Sequence, residues 1–345
     1  MKIHVHLVIQ DLFLPREAAA GACAGLCLPA LEKILARAKP MPLLAASLEE
    51  WLCAAFGAEN QAIAPVTLQA DGECPGTAYW LRADPVNLSL TGDQLILRPI
   101  ATLDADEAAQ LCASLNRHFA DYRLHFMAPQ PQHWYLRLGC APGITTHFLA
   151  QAAGKDIHAL LPHGADALRW HKLLNEIQML LFEHPVNQAR EARGEWLINS
   201  VWPWGGGYAP DKLLRPFERV STDSLLAAAF ASVAGIGHSA LPGDAAQCLA
   251  DGKSETLIVW DGLRPALQHG DLGEWRDSLQ QLEQTCASPL LQALRGGRID
   301  KITLDVLQAH ASQRFVLTCG MSWQFWRLSR RLDYYSAIRR DIEFF

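Results

Sequence analysis

Apolar and polar positions alternate with period two over residues 3–9, then repeatedly exchange that spacing for helical spacing along the chain. The first run, IHVHLVI, predicts a strand that stops at Asp11 before a loop containing Pro15. Residues 17–38 are rich in Ala and Leu and predict helix with a break at Pro29. Residues 43–56 predict a second helix, with Ser47 and Glu50 at capping-box spacing and Gly57 closing it. Strands are expected at 77–81 and 94–99, joined by a turn-rich piece holding Pro85, Asn87 and Gly92-Asp93. Asp104 stands as N-cap of an amphipathic helix over 104–118, whose apolar face carries Ala108, Leu111, Cys112 and Leu115. A hairpin over 123–128 and 133–138 follows, then a loop at 160–164. A long helix over 167–182 has a stripe of Leu168, Leu173, Leu174, Ile177 and Leu181.

Residues 196–202 predict a buried strand that runs into Pro203, Trp204 and the glycines 205, 206 and 207. Such a strand brings bare backbone to the rim of a sheet, where a ligand or another chain segment can approach closely. Ligands in open α/β sheets collect at the carboxyl ends of strands. A tight turn between packing tryptophans explains the same pattern without a ligand. Beyond it come a helix at 222–234, a buried strand at 257–261 ending in Asp261, a helix at 274–286, and a hairpin of strands at 301–308 and 314–319. Alternation of helix and strand throughout predicts α/β architecture.

The chain has 345 residues, room for two domains or one large domain with an inserted lobe. Half of it is hydrophobic and 19% is charged, which supports a packed core and excludes a disordered protein. A net charge of −6 argues against a general nucleic-acid binder. The basic cluster of Arg327, Arg330, Arg331, Arg339 and Arg340 reads as a solvated helix face. There is no apolar run long enough for a membrane span, and Asp11 interrupts the start where a secretory signal stays apolar. Nine scattered cysteines fit reduced thiols, so a cytoplasmic location and no membrane partner are expected. Cys23 and Cys27 lack a second pair at zinc spacing and read as packing residues.

Several residues carry candidate chemistry, each with a plainer alternative. Asp11 at a strand end suits a metal ligand, or a turn. Ser47 suits a nucleophile, or a helix cap. Arg82 suits a carboxylate or phosphate, or a pairing with Asp84. His163, in the loop, suits a substrate contact, or plain exposure. His4 and His6 share one face of the first strand and are too few for a metal site.

The phrases DADEAAQL, HPVNQAR and NSVWPWGGG, with a PHG loop between, resemble the inserted domain and following strand of archaeal-type cofactor-independent phosphoglycerate mutases, in the alkaline phosphatase superfamily. YWLRADPVNL, LLPHGADALRW and WLINSVWPWGGG further resemble shorter bacterial relatives described as RpfE-type regulatory proteins or phosphoglycerate mutase-like proteins. This resemblance implies an alkaline-phosphatase-like α/β core sheet with helices on both faces and an inserted α+β lobe. The core would comprise residues 1–98 and 191–345, and the lobe 99–190.

Family chemistry needs two divalent metals held by Asp and His, and a Ser that accepts phosphoryl. By resemblance, Asp11, Asp261, His269 and Asp271 fall at metal-ligand positions and Ser47 at the nucleophile. Arg82, His163, Asn199, Gly205 and Gly206 would bind substrate. A Leu at 12 stands where the family has Gly, and Gly320 and Met321 stand where its late Asp-His belongs, with Asp305 and His310 nearby. Neither Gly nor Met gives the hard donor that Mn²⁺ or Mg²⁺ requires. The resemblance therefore implies a degenerate relative with a regulatory or ligand-binding role, lacking full dimetal catalysis and needing no cofactor. The alternative is an active phosphomutase or phosphohydrolase that uses Mn, Mg or Zn on a small phosphorylated acid. A third reading is a partner-binding protein that uses the tryptophans of the C-terminal stretch; no residue names that partner.

Overall fold

Strands form where β-branched and apolar residues run together, and helices where an amphipathic stripe follows a cap. A computed structural model describes residues 2–249, 254–268, 270–309 and 311–337. In chain order its elements are β1 (His4–Gln10), α1 (Arg16–Ala22), α2 (Pro29–Arg37), β2 (Lys39–Pro42), α3 (Leu48–Phe56), α4 (Ile63–Ala70), β3 (Tyr79–Thr91) and β4 (Gln94–Pro99). Next come α5 (Ala105–His118), β5 (His125–Gln130), β6 (His133–Leu138), α6 (Leu149–Ala152), α7 (Ala167–Phe182), α8 (Pro185–Ala192), β7 (Ser200–Gly207) and β8 (Arg219–Thr222). The remainder is α9 (Leu225–Val233), β9 (Gly237–Ser239), β10 (Glu255–Trp260), α10 (Leu263–Gln268), α11 (Leu272–Leu282), α12 (Ser288–Arg295), β11 (Lys301–Leu307), β12 (Gln313–Thr318), α13 (Cys319–Ser322) and α14 (Leu332–Ala337). No helix among the described residues is long and apolar enough to cross a membrane.

The elements gather into two compact units, one of Met1–Phe56 with Leu214–Phe345, the other of Gly57–Leu213. The second unit is wider than the 99–190 lobe outlined from the sequence, because α4, β3 and β7 pair or pack within it.

The first unit is a seven-stranded sheet in the order β2-β12-β11-β1-β10-β8-β9. Strands β11, β1, β10, β8 and β9 are parallel; β12 pairs antiparallel with β11, and β2 pairs antiparallel with β12, running the same way as the five. The inner parallel strands β10 (ETLIVW) and β11 (KITLDVL) come nearest to continuous apolar runs, as burial on both faces demands. On one face Val5, Leu7 and Ile9 of β1 join Ile34 and Leu35 of α2, Trp275 and Leu279 of α11, and Leu290 and Leu294 of α12 in one core. On the other face His6 meets the edges of Trp51, from α3, and Phe217. Helix α2 starts with Pro29, and the buried Glu283 carboxylate accepts the Ala30 and Leu31 N–H groups at 2.7 and 2.9 Å. An anion suits a helix start, whose N–H groups lack intrahelical partners.

The second unit is a five-stranded antiparallel sheet in the order β4-β3-β6-β5, with β7 added on β3. Leu111 and Leu115 of α5 and Trp170, Ile177 and Leu181 of α7 cover it. Leu168, expected in that stripe, is exposed, and Trp170 takes the place. The expected turn at 82–87 is instead the middle of one long strand, β3. Pro85 is tolerated because β6 pairs only with 79–82 and β4 only with 86–91 of β3. Its missing donor faces that gap, where its carbonyl accepts from Ile100.

Candidate functional site

Strands β1, β10 and β8 end together at one edge of the first sheet. Residues Ile9 and Trp260 are register partners, so Asp11 and Asp261 emerge from neighbouring strands, two residues after Ile9 and one after Trp260. Asp11 has a left-handed backbone, φ 57°, which a short polar side chain tolerates better than most. Its N–H donates to the Leu307 carbonyl at 3.0 Å.

Arg264, in the first turn of α10, donates from Nε to Asp11 Oδ2 at 3.0 Å. With its amide oxygen turned to the same side, the buried Gln10 accepts both Arg264 Nη1 and Nη2 at 2.9 Å. The guanidinium is thus gripped by a carboxylate and an amide from adjacent residues. Burial pushes the Asp261 carboxyl up from 3.8 to about 6. Arg264 pulls it down, Glu49 and Asp11 push it further up, and a hydrogen bond from Ser224 pulls it down. Asp261 Oδ1 has no hydrogen-bond partner, and neither does Oε2 of Glu49, which is 6% exposed in the first turn of α3.

Ser47, one residue before α3, is 2% exposed and acts as its cap. Its Oγ accepts the Glu50 N–H at 3.3 Å, and Glu50 Oε2 accepts the Ala46 N–H at 2.8 Å. That resembles a capping box, with the Glu50 carboxylate reaching one residue before the cap. Asp271 is the exposed N-cap of α11, accepting the Glu274 N–H at 2.9 Å. His269 lies outside the described residues, as does His310.

The placement of Gly320 and Met321 at a metal position is corrected by strand direction. Strand β12 is antiparallel to β11, and Thr318 pairs with Lys301, so residues 320 and 321 sit at the opposite edge from Asp11. The segment that follows β11 at the carboxyl edge contains Gln308 and Ser312, which cross-link to each other and, through Gln308 Nε2, to the Phe13 carbonyl at 2.8 Å.

The second unit holds the residues expected to bind substrate. Arg82, 6% exposed, pairs with Asp84 at 2.6 Å and lies over the Tyr135 and Trp204 rings. Asn199 makes two bonds to the Leu88 backbone, 2.7 Å to its N–H and 2.8 Å to its carbonyl. His163 bridges Thr145, and its ring stands 5.7 Å from that of His147, whose pKa is lowered by burial and by His163. Gly205 and Gly206 lie in β7, which is antiparallel to β3, so the rule for carboxyl ends of parallel strands does not reach them. Helix α4 and its lead-in approach the backbone of Gly205 and Gly207, and Tyr79 and Leu81 of β3 approach that of Gly206. A Cβ on Gly207 would stand 2.3 Å from Ala62 Cβ, and one on Gly205 3.0 Å from Ile63 Cβ. Gly205 and Gly206 also line a cleft of about 160 Å³ with Asn60, Gln61 and Thr145.

The sequence reading missed Arg264 and Glu49. Arg264 follows Asp261 by three residues, and Glu49 follows Ser47 by two. In each case the signal was a charged residue in the first turn of a helix leaving the edge.

A pair of divalent cations needs about six or more hard donors. Among the described residues no three His, Cys, Asp or Glu side chains gather to hold even one. At the carboxyl edge Asp11 is engaged by a guanidinium and Asp271 by a helix start. The described donors do not fit a two-metal centre.

No protein-family model matches the chain. A stretch of 57 residues is 40% identical to the 2,3-bisphosphoglycerate-independent phosphoglycerate mutase of Methanosarcina mazei, covering 16% of this chain and 14% of that protein. A stretch of 85 residues is 34% identical to the probable enzyme of the same description from Geobacter sulfurreducens, covering 25% and 21%. These matches thus span about a fifth or less of the length of those curated relatives. The cofactor-independent phosphoglycerate mutase from Thermoplasma acidophilum superposes with a TM-score of 0.52 at 12% identity, over 96% of this chain and 94% of that one. The PH0037 protein from Pyrococcus horikoshii superposes with a TM-score of 0.55 at 12% identity, over 92% and 88%. The chain therefore has the α/β fold of the cofactor-independent phosphoglycerate mutases, of alkaline-phosphatase type.

Proposed function

We propose that this is a phosphoglycerate mutase-like protein that keeps the fold without two-metal phosphoryl transfer, and that it serves as a cytoplasmic ligand-binding or regulatory protein of the RpfE type. The observation that carries this reading is the Asp11–Arg264 pair, 3.0 Å long, at the edge where the family's metals would be needed. A guanidinium has no vacant orbital to accept an electron pair from a phosphoryl oxygen as a Lewis-acidic metal does, and it cannot activate a serine by coordination. The enclosed Ser47 hydroxyl, already an acceptor in the α3 cap, supports the same reading. The ligand would be a small phosphorylated acid, with no nucleic acid and no membrane involved.

The test is turnover of 3-phosphoglycerate and p-nitrophenyl phosphate by the full chain with Mn²⁺, Mg²⁺ or Zn²⁺. The expected rate equals that of Ser47→Ala, with saturable binding of phosphoglycerate in equilibrium dialysis. Metal-dependent turnover that Ser47→Ala abolishes would overturn the reading.

One observation favours the active alternative. The unpartnered oxygens of Asp261 and Glu49 are acceptors that a cation could use. In that reading Asp11, Asp261, His269 and Asp271 hold metal, Ser47 accepts phosphoryl, and Arg82, His163, Asn199, Gly205 and Gly206 contact substrate.

A further inference from the structure

We infer that the guanidiniums of Arg37 and Arg295, with the exposed aromatic side chains that follow α13, form a docking surface for an acidic segment of a partner protein. The inference goes beyond the reading above and does not rest on it.

The surface lies at the amino edge of the parallel strands, away from Asp11. Helices α2 and α12 end on Arg37 and Arg295. Both guanidiniums donate to one acceptor, the Ser322 carbonyl at the end of α13. Arg37 does so through Nη1, and Arg295 through Nη2 at 3.0 Å. A third guanidinium, Arg327, donates from Nη1 to the carbonyls of Arg37 and Ala38 at 3.2 and 3.4 Å. Among the described residues no carboxylate forms an ion pair with any of the three. Residues 319–332 contain three arginines and no Asp or Glu, in a chain whose net charge is −6. A helix C-terminus favours a cation, and a carbonyl with its two lone pairs can accept both donors. That accounts for where Arg37 and Arg295 stand, but not for the rest of their hydrogen-bonding capacity. The Nε atoms of both are buried and have no acceptor. Buried donors are rarely left so. Burial holds the Arg37 pKa down, and the nearby Arg295 lowers it further. A neutral carbonyl orients two like charges without cancelling either. A carboxylate cancels charge, and its two oxygens match Nε and Nη of one planar fork.

The apolar part of the surface begins at the charged part. Arg295 lies over the Trp323 ring, 5.1 Å from its centre. Trp323 is 58% exposed, Phe325 76%, Trp326 65% and Leu328 72%. Phe325 and Trp326 meet edge to face at 5.3 Å. Large apolar side chains exposed together in one short stretch mark an interaction site, and Trp with Arg is the pairing that protein interfaces favour at their centres. A lipid surface would also suit the aromatic rings. The unused Nε donors decide between the two, because they are buried and call for a carboxylate carried inward on a side chain.

The experiment is fluorescence anisotropy of a short labelled peptide of Glu and Leu at helical spacing, titrated with the full chain as wild type, Arg295→Gln, Trp326→Ser and Leu168→Ser. The same peptide with Gln in place of every Glu is the second probe. Wild type should bind the Glu peptide saturably and the Gln peptide about tenfold or more weakly. Arg295→Gln and Trp326→Ser should each weaken the Glu peptide by about tenfold or more. Leu168→Ser, on an exposed residue of the second unit, should leave binding unchanged. Because Trp326 is exposed, its variant should unfold at the same temperature as wild type, which separates lost binding from lost fold. No saturable binding of the Glu peptide, equal binding of the two peptides, or binding that neither Arg295→Gln nor Trp326→Ser weakens would overturn the inference. So would adsorption to phosphatidylserine vesicles without peptide binding, which makes the surface a lipid contact. A dimer in sedimentation velocity that Trp326→Ser dissociates would overturn it too, by making the occupant a second copy of this chain. Turnover is not the readout, so the outcome is independent of the Ser47→Ala test.

Discussion

The indole Nε1 of Trp51 donates to Oδ2 of Asp305 at 2.7 Å, joining α3 to the inner strand β11 across 254 residues of chain. Asp305 also receives Arg314 through two bonds, at 2.7 and 2.6 Å, and His6 at 2.8 Å. The carboxylate is fully buried and has four donors, so α3 is fixed over the sheet by polar bonds as well as by packing. Since α3 carries Ser47 as its cap and Glu49 in its first turn, this bond sets where both reach the edge. Trp51→Phe keeps the ring and removes the donor. It should cost about 1–3 kcal/mol, as for loss of a buried bond to a charged group. In urea the unfolding midpoint should fall with an unchanged slope.

Arg314 and His6 hold the Asp305 carboxyl down, from 3.8 to about 2, against the opposing effect of burial. The folded state binds this proton less readily than the unfolded state. The stabilisation is therefore complete above about pH 4 and is lost as pH falls through about 2. It should be of the order of 2 kcal/mol. Acid titration of the unfolding free energy should show this loss, and Asp305→Asn should flatten it.

Asp261 runs the opposite way. Its carboxyl is raised to about 6, so the folded state holds the proton more tightly than the unfolded one. Its contribution is fully present below about pH 4 and disappears as pH rises through about 6. Asp261→Asn should remove that slope and make stability flatter between pH 4 and 7, as measured by denaturant midpoints at each pH.

In the second unit Asp84 is the hub of a buried network. It accepts Arg82 from Nε at 3.0 Å and Nη2 at 2.6 Å, the Trp134 N–H at 3.2 Å, and Trp204 Nε1 at 2.7 Å. Asp84→Asn leaves the Arg82 guanidinium buried without its counter-charge. A loss of about 3–5 kcal/mol is expected. Replacing Arg82 by Met at the same time should recover much of it. Thermal unfolding of the three variants checks this.

Gly207→Ala should destabilise by about 1–3 kcal/mol through overpacking, since its Cβ would meet Ala62 Cβ at 2.3 Å. Gly237→Ala, where nothing lies within 4 Å, is the matched control and should change stability by no more than about 0.5 kcal/mol. Midpoints that move equally for both would refute the packing role of the glycine run.

Residue spacing alone carried much of the architecture. The helix predicted over 167–182 coincides with α7, and the cap at Asp104, the hairpin of β5 and β6, and the apolar strands β1, β10 and β11 also follow from spacing. Period and capping are local, and every residue needed to see them lies within a few positions. The capping role of Ser47 was legible for the same reason. Tertiary structure alone decided three other matters. It put β7 in the antiparallel sheet, turned β12 so that Gly320 and Met321 face away from the candidate edge, and brought Arg264 onto Asp11 across 253 residues. A hydrophobic run shows that a strand will be buried, but neither which neighbour it joins nor in which direction, because that choice depends on surfaces made elsewhere in the chain. An ion pair between distant residues leaves no periodic trace, and it exists only once two parallel strands have ended side by side.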